Sequence, residues 1–295
     1  FYRVELSTSG GDFTPLADWA QTAELSAALD GLEPNTSYYA RVRAQNSANT
    51  TTEFAVLGST LTTAITPDLP AGAVYGPVYV TSMTVNWSSG SVAGGGFNPA
   101  GTFYRVEMSS SADFTPSFVA ETDALGVEFP ALTPNTTYYV RGAAVNNIGA
   151  LSAYLNFPAG ATSAYPPGNY GSPVTNLAGD GFRLRWTANG NPEGTRYSAR
   201  YSTAANFTGG DDGTQVVTST YCDLSGLTGN ATYYARVYAD AHNGSASAFN
   251  AAVSTLTFPA PPAAVSFGAI TSSGAAANWA AGNNNTAGLS YLAEV

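Results

Sequence analysis

Apolar and polar residues alternate along short runs of this chain. Tyr38, Ala40, Val42 and Ala44 take every second position of one run, and Tyr138, Val140, Gly142 and Ala144 do the same in another. Met83, Val85 and Trp87 alternate likewise, as do Tyr104, Val106 and Met108. Successive side chains of a strand point to opposite faces, so a period of two leaves one face buried and one wet, and each run predicts a half-buried β-strand. Turn formers separate the runs: NPAG, SSG, TPN and GGDDG. No window holds a helical period over three turns.

One passage recurs. GLEPNTSYYARVRAQN at 31–46 returns as ALTPNTTYYVRGAAVN at 131–146 and as GLTGNATYYARVYADA at 226–241. Tyr38, Tyr138 and Tyr233 stand 100 and 95 residues apart, and Trp87, Trp186 and Trp279, in MTVNW, FRLRW and AAANW, stand 99 and 93 apart. Repeats of about 20 to 50 residues would indicate a solenoid. Repeats of this greater length fit whole small domains in series, each burying its own core. Short strands with a turn every ~8–12 residues, in modules of this size, predict β-sandwiches. The core is expected to centre on Trp87, Trp186 and Trp279 with Tyr38, Tyr138 and Tyr233.

At these residues each repeat resembles a fibronectin type III module. The resemblance is carried by a strand B tryptophan (Trp87, Trp186, Trp279), by the strand C sequence YRVEL or YRVEM at Tyr2 to Leu6 and Tyr104 to Met108, and by L-x-P-x-T-x-Y leading into strand F. That last motif reads Leu32, Pro34, Thr36, Tyr38 and Leu132, Pro134, Thr136, Tyr138, followed by A-x-N at Ala44, Asn46 and Ala144, Asn146. The third copy departs from it at Gly229, Ala231 and Ala241 while retaining Leu227 and Tyr233. The resemblance implies an all-β chain of tandem, immunoglobulin-like sandwiches of about seven strands each. It says little about function, because a fold does not fix one.

FYRVEL at the start and YLAEV at the end both align with strand C. The expected division is therefore 1–66, strands C to G of one module; 67–163 and 164–257, two complete modules; and 258–295, strands A to C of a further one. Half a sandwich leaves an apolar face with nothing packed on it. Either the sequence is a stretch of a longer array, or the tail of one copy completes the head of the next and builds a fibre. The second reading would supply strand C twice. TPDLPAG, AYPPGNYGSP and FPAPPAA join the modules, and proline-rich linkers are stiff and extended, which predicts a semi-rigid rod.

Charge narrows the partners. Charged residues make up 10% of the chain, the net charge is −10 and the pI is about 4.3. Phosphate backbones and anionic lipid surfaces repel such a protein, so nucleic acid is not an expected partner. No run of about 20 apolar residues suggests membrane insertion. The single cysteine, Cys222, cannot form an internal disulfide and is expected in a strand interior. A composition rich in Ser, Thr, Asn, Gly and Ala suits a bacterial protein outside the cell or on its surface. Every basic residue is arginine, so lysine–asparagine isopeptide bonds are impossible and stability must come from burial.

Candidate chemistry is sparse. His242 lies in the DAHNG turn and, with one cysteine, assembles neither a metal cluster nor a nucleophilic triad. Asp211 and Asp212 match no complete calcium loop. VAGGG at 92–96 is followed by neither lysine nor helix, so it is a connection rather than a phosphate cradle. No cofactor and no catalysis are expected. One outward pattern does repeat: Tyr39 and Arg41, Tyr139 and Arg141, Tyr234 and Arg236 form a candidate interface for a neighbouring module, another copy or cell-surface glycans. The alternative is an exposed face of Glu–Arg pairs, each contributing under about 1 kcal/mol. Eight N-x-S/T sequences occur, at Asn35, Asn49, Asn86, Asn135, Asn206, Asn230, Asn243 and Asn284. Asn35, Asn135 and Asn230 fall at the same turn before strand F and are candidate glycosylation sites.

Two functions fit. One is a non-enzymatic structural protein, a stalk, adhesin shaft or filament acting by spacing and self-association. The other is a set of spacer modules in a secreted polysaccharide-degrading enzyme. The near-identity of FYRVELSTSGGDFTP and FYRVEMSSSADFTPS favours duplication into a long array, hence the first.

Overall fold

The computed structural model describes residues 1–91, 97–209, 212–282, 288 and 290–294; the VAGGG run, Asp211 and Asn284 lie outside them. Two compact units are present. The first comprises Phe1–Val78, Ser82–Ala131 and Thr137–Gly160, and the second Tyr79–Thr81, Leu132–Thr136 and Ala161–Val295. Among the described residues all regular structure is strand.

In the first unit, β1 (Tyr2–Ser7), β2 (Asp18–Thr22), β3 (Ser37–Ala44) and β4 (Ala55–Leu61) form one antiparallel sheet in the order β2-β1-β3-β4. Val4 faces Val42, and Glu5 faces Arg41. One face of this sheet is apolar, yet Tyr2, Val4 and Val42 are only half-buried, and Leu57 is exposed. They line an open hollow with Leu25, as expected where no second sheet covers the first.

Next in the chain come β5 (Tyr75–Val78), β6 (Met83–Asn86), β7 (Phe103–Ser109), β8 (Phe118–Thr122), β9 (Gly126–Phe129), β10 (Thr137–Val145), β11 (Leu155–Asn156) and β12 (Gly160–Ala161). Strands β5-β6-β9 make one sheet and β11-β10-β7-β8 the other, with β12 also on β10. The period-two residues meet between these sheets. Met83, Val85 and Phe129 come from one, and Tyr104, Val106, Met108, Tyr138 and Val140 from the other, all at most 3% exposed. The Trp87 ring lies 5.7 Å from that of Tyr104.

The second unit contains β13 (Gly168–Thr175), β14 (Gly181–Thr187), β15 (Arg196–Ser202), β16 (Asp212–Val217), β17 (Tyr221–Ser225), β18 (Thr232–Asp240) and β19 (Val253–Leu256). These seven strands form sheets β13-β14-β17 and β16-β15-β18-β19. Their shared core holds Trp186, Tyr197, Leu184, Cys222, Leu227, Tyr233 and Val237. A last antiparallel pair, β20 (Ala263–Gly268) and β21 (Ala276–Ala280), carries Trp279. This tryptophan is not a core residue: it is 43% exposed, because among the described residues its two-stranded ribbon has no facing sheet to bury it.

Candidate functional site

The outward face of each F-type strand (β3, β10, β18) carries the Tyr–Arg pattern, and its geometry is an internal clamp. Glu107 of β7 stands directly opposite Arg141 of β10. The residue is 5% exposed, and its carboxylate accepts from Arg105 Nε at 3.0 Å, Arg141 Nε at 2.8 Å and the Tyr154 hydroxyl at 3.0 Å. Glu5 repeats this on β1, accepting from Arg3 Nε at 2.7 Å and Arg41 Nε at 2.8 Å. Burial pushes both carboxyls up, but the arginine hydrogen bonds outweigh it and hold them below the usual carboxylate range.

Aromatic rings cover both faces of the central guanidinium. Arg41 lies 4.3 Å from the Phe13 ring centre and 3.9 Å from that of Phe54. Arg141 sits between Phe114 and Tyr154 at 4.2 and 4.4 Å, and Arg236 between Phe207 and Phe249 at 4.0 Å each. In the third copy Arg200 occupies the position of the buried glutamate, opposite Arg236, and the ring sandwich persists without a carboxylate there. A planar cation attracted to ring faces and hydrogen-bonded in its own plane is a strong local arrangement.

The lower ring is held by a turn whose signal lies in the sequence. Phe13, Phe114 and Phe207 all have left-handed backbone, with φ of 56°, 58° and 57°. Such a conformation is unfavourable for a bulky residue. The preceding Asp or Asn accepts from the backbone N–H two residues on: Thr14 to Asp12 at 3.1 Å, Thr115 to Asp113 at 3.0 Å and Thr208 to Asn206 at 3.0 Å. This Asx-turn, written D-F-T or N-F-T, aims the ring beneath the arginine.

Of the candidate interface residues, Arg41, Arg141 and Arg236 are thus engaged within their own copies. Tyr39 and Tyr139 are 37% and 41% exposed, and Tyr234 is half-buried. The candidate glycosylation residues lie elsewhere than at a free surface. Asn35 and Asn135 are 3% and 1% exposed, and each Nδ2 donates to a threonine hydroxyl, Thr102 at 3.0 Å and Thr195 at 3.1 Å. A glycan on either nitrogen has no room in the folded chain. Asn230 is half-buried and shares their left-handed backbone, φ 51° against 47° and 45°.

The other candidates take structural places. Cys222 is 2% exposed, and burial, with Asp223 beside it, pushes its thiol up to about 12. Among the described residues no group of three or more His, Cys, Asp or Glu could hold a metal ion. The Tyr38 and Tyr233 hydroxyls accept from the backbone N–H of Glu33 and Thr228, each at 2.9 Å and five residues upstream.

A three-stranded sheet packed on a four-stranded one, with that tyrosine corner leading into the F-type strand, is an immunoglobulin-like β-sandwich, the fold that the resemblance to fibronectin type III modules implies. No family model matches the chain. It is 33% identical over 147 residues to endoglucanase B of Cellulomonas fimi, covering 47% of this chain and 14% of that protein's length. Among solved structures, a two-domain fibronectin type III segment of chicken tenascin matches at 15% identity and a TM-score of 0.45, over 65% of this chain and 99% of that one. Chicken CNTN1 domains FN1–FN3 match at 17% identity and a TM-score of 0.31, over 87% and 88%.

Proposed function

We propose that this chain is a non-catalytic spacer of a bacterial protein working outside the cell or at its surface, in which whole modules at 67–163 and 164–257 add length. The observation that carries this reading is the commitment of its reactive-looking side chains. The arginines and the buried glutamates, which a binding face would present to a ligand, are consumed by clamps that recur at the same register. Its partners are then neighbouring modules, of the same chain or of another copy in a stalk, adhesin shaft or filament. Electron microscopy of the native protein released from its cells tests this: ordered filaments or uniform shafts support a structural array, and compact isolated globules refute it.

A second reading is favoured by the endoglucanase similarity. Here the same spacer modules hold apart the working domains of a secreted polysaccharide-degrading enzyme. The discriminating assay is hydrolysis of soluble and crystalline cellulose by the full-length secreted product. Turnover assigns the chain to an enzyme, and inactivity on both leaves the structural array.

A further inference from the structure

We propose that the asparagine of the turn before β3 and before β10 is a latch to the following module, and that Asn35 and Asn135 therefore act as joint residues instead of glycan carriers. The first joint lies wholly within the first unit. Asn35, in the turn before β3, reaches two turns of the next sandwich, 67 and 112 residues further on. Its Nδ2 donates to Thr102 Oγ1 at 3.0 Å and to Asn147 Oδ1 at 3.4 Å. Its Oδ1 accepts from the Asn147 N–H at 2.8 Å, and its backbone carbonyl accepts from Asn147 Nδ2 at 3.2 Å. With Asn35 and Thr102 at 3% and 2% exposure, every polar atom of the amide is buried and paired.

The socket has its own sequence signature, N-P-x-G-T. Asn98 at its head grips the linker backbone: Oδ1 accepts from Ile65 N–H at 2.9 Å, and Nδ2 donates to the Ile65 carbonyl at 2.8 Å. Thr102 at its foot receives the asparagine. One five-residue turn thus holds both the incoming linker and the preceding module.

The second unit repeats the arrangement inside its own boundaries. Asn135, in the segment Leu132–Thr136, donates to Thr195 Oγ1 at 3.1 Å and accepts from the His242 N–H at 2.8 Å. Asn191 heads this socket and makes the same pair of bonds to the Tyr165 backbone, both 2.8 Å. With His242 in place of Asn147 the bond from the backbone N–H is kept, while the two bonds of the Asn147 side chain belong to the first joint. A carboxamide offers a donor and an acceptor a fixed distance apart, which matches a hydroxyl oxygen and an N–H. It also tolerates the left-handed backbone of the turn.

Asn35→Gly and Asn135→Gly isolate the latch, since glycine keeps the left-handed turn and removes only the amide. The test is amide hydrogen exchange on the full chain. Asn147 N–H should lose at least about tenfold protection in N35G, and His242 N–H likewise in N135G, with the β7, β10 and β18 amides unchanged. T102V and T195V should show the same change to a smaller degree. Unchanged protection of both turn amides overturns the latch. So does a hexose-bearing peptide containing Asn35 or Asn135 from the folded, natively produced protein. The two variants report on different units, so failure of one turn to fold leaves the other as a test.

Discussion

Glu107→Gln is the most direct test of the clamp. Glutamine preserves the shape of the side chain but removes its charge, so the bonds from Arg105, Arg141 and Tyr154 lose their charge assistance. A hydrogen bond to a charged group contributes about 1.5–3 kcal/mol, roughly twice a neutral one. Complete burial of the pair would set the cost of breaking it at about 3–5 kcal/mol. The side chains of Arg105 and Arg141 are 37% and 33% exposed, however, so water screens part of this, and about 2–3 kcal/mol is expected. The assay is urea unfolding followed at the indole N–H of Trp87, which lies in the same sandwich, with those of Trp19, Trp186 and Trp279 as internal references. The pH dependence has a definite sign. The carboxyl of Glu107 is held below its ordinary 4.5, so the clamp's contribution is complete above that pH and fades as pH falls through the folded value. Wild type and E107Q should therefore differ at pH 7 and converge at a pH low enough to protonate the folded carboxyl. A difference under about 1 kcal/mol, or one equal at both pH values, would mean that the glutamate behaves as an ordinary surface ion-pair partner.

Three further outcomes are expected. Trp186→Ala should cost about 3–5 kcal/mol of stability in the β13–β19 sandwich, whereas Trp279→Ala, removing a half-exposed ring, should cost under about 1 kcal/mol; urea midpoints read at Cys222 and at the β20–β21 amides compare them. Cys222 should resist an aromatic disulfide reagent at pH 8 and react only as urea opens the sandwich around it, and prompt stoichiometric labelling of the folded chain would contradict its burial. Arg236→Lys should destabilise the third sandwich by about 1–2 kcal/mol although charge is conserved, because an ammonium cannot lie flat between Phe207 and Phe249; an unchanged urea midpoint would show that charge alone matters there.

The sandwich cores were legible in the sequence because a period-two pattern is local. Met83, Val85 and Trp87 needed no distant information to be read as an inward row, and the tyrosine corner was announced by L-x-P-x-T-x-Y. Trp279 shows the limit: it stands at the repeat position of Trp186, but burial requires a facing sheet. Arg141 shows another. The pattern placed it on the outer face, as found, yet outward did not mean free. Phe114 and Tyr154 reach it from separate loops, and only the D-F-T turn hinted at the first. Asn35 read as a surface sequon because its turn looks solvated in isolation. What buries it comes from residues 67 and 112 positions away, beyond any local window.

The absence of lysine, which rules out isopeptide cross-links, has a positive side in the structure. Of the ten basic residues, all arginine, seven lie over aromatic rings: Arg3, Arg41, Arg43, Arg141, Arg183, Arg185 and Arg236. With 10% of the chain charged, such cations are too few to act as solubilising decoration. They serve as flat packing pieces, lying against aromatic rings on the outer faces of their sheets. Lysine would leave a compact, strongly hydrated charge above each ring and could not donate from Nε and Nη2 together to one carboxylate oxygen, as Arg41 and Arg141 do. A module that draws stability from both faces of its larger sheet depends less on core volume alone. That explains how the third copy keeps its ring sandwich after replacing the buried glutamate with Arg200.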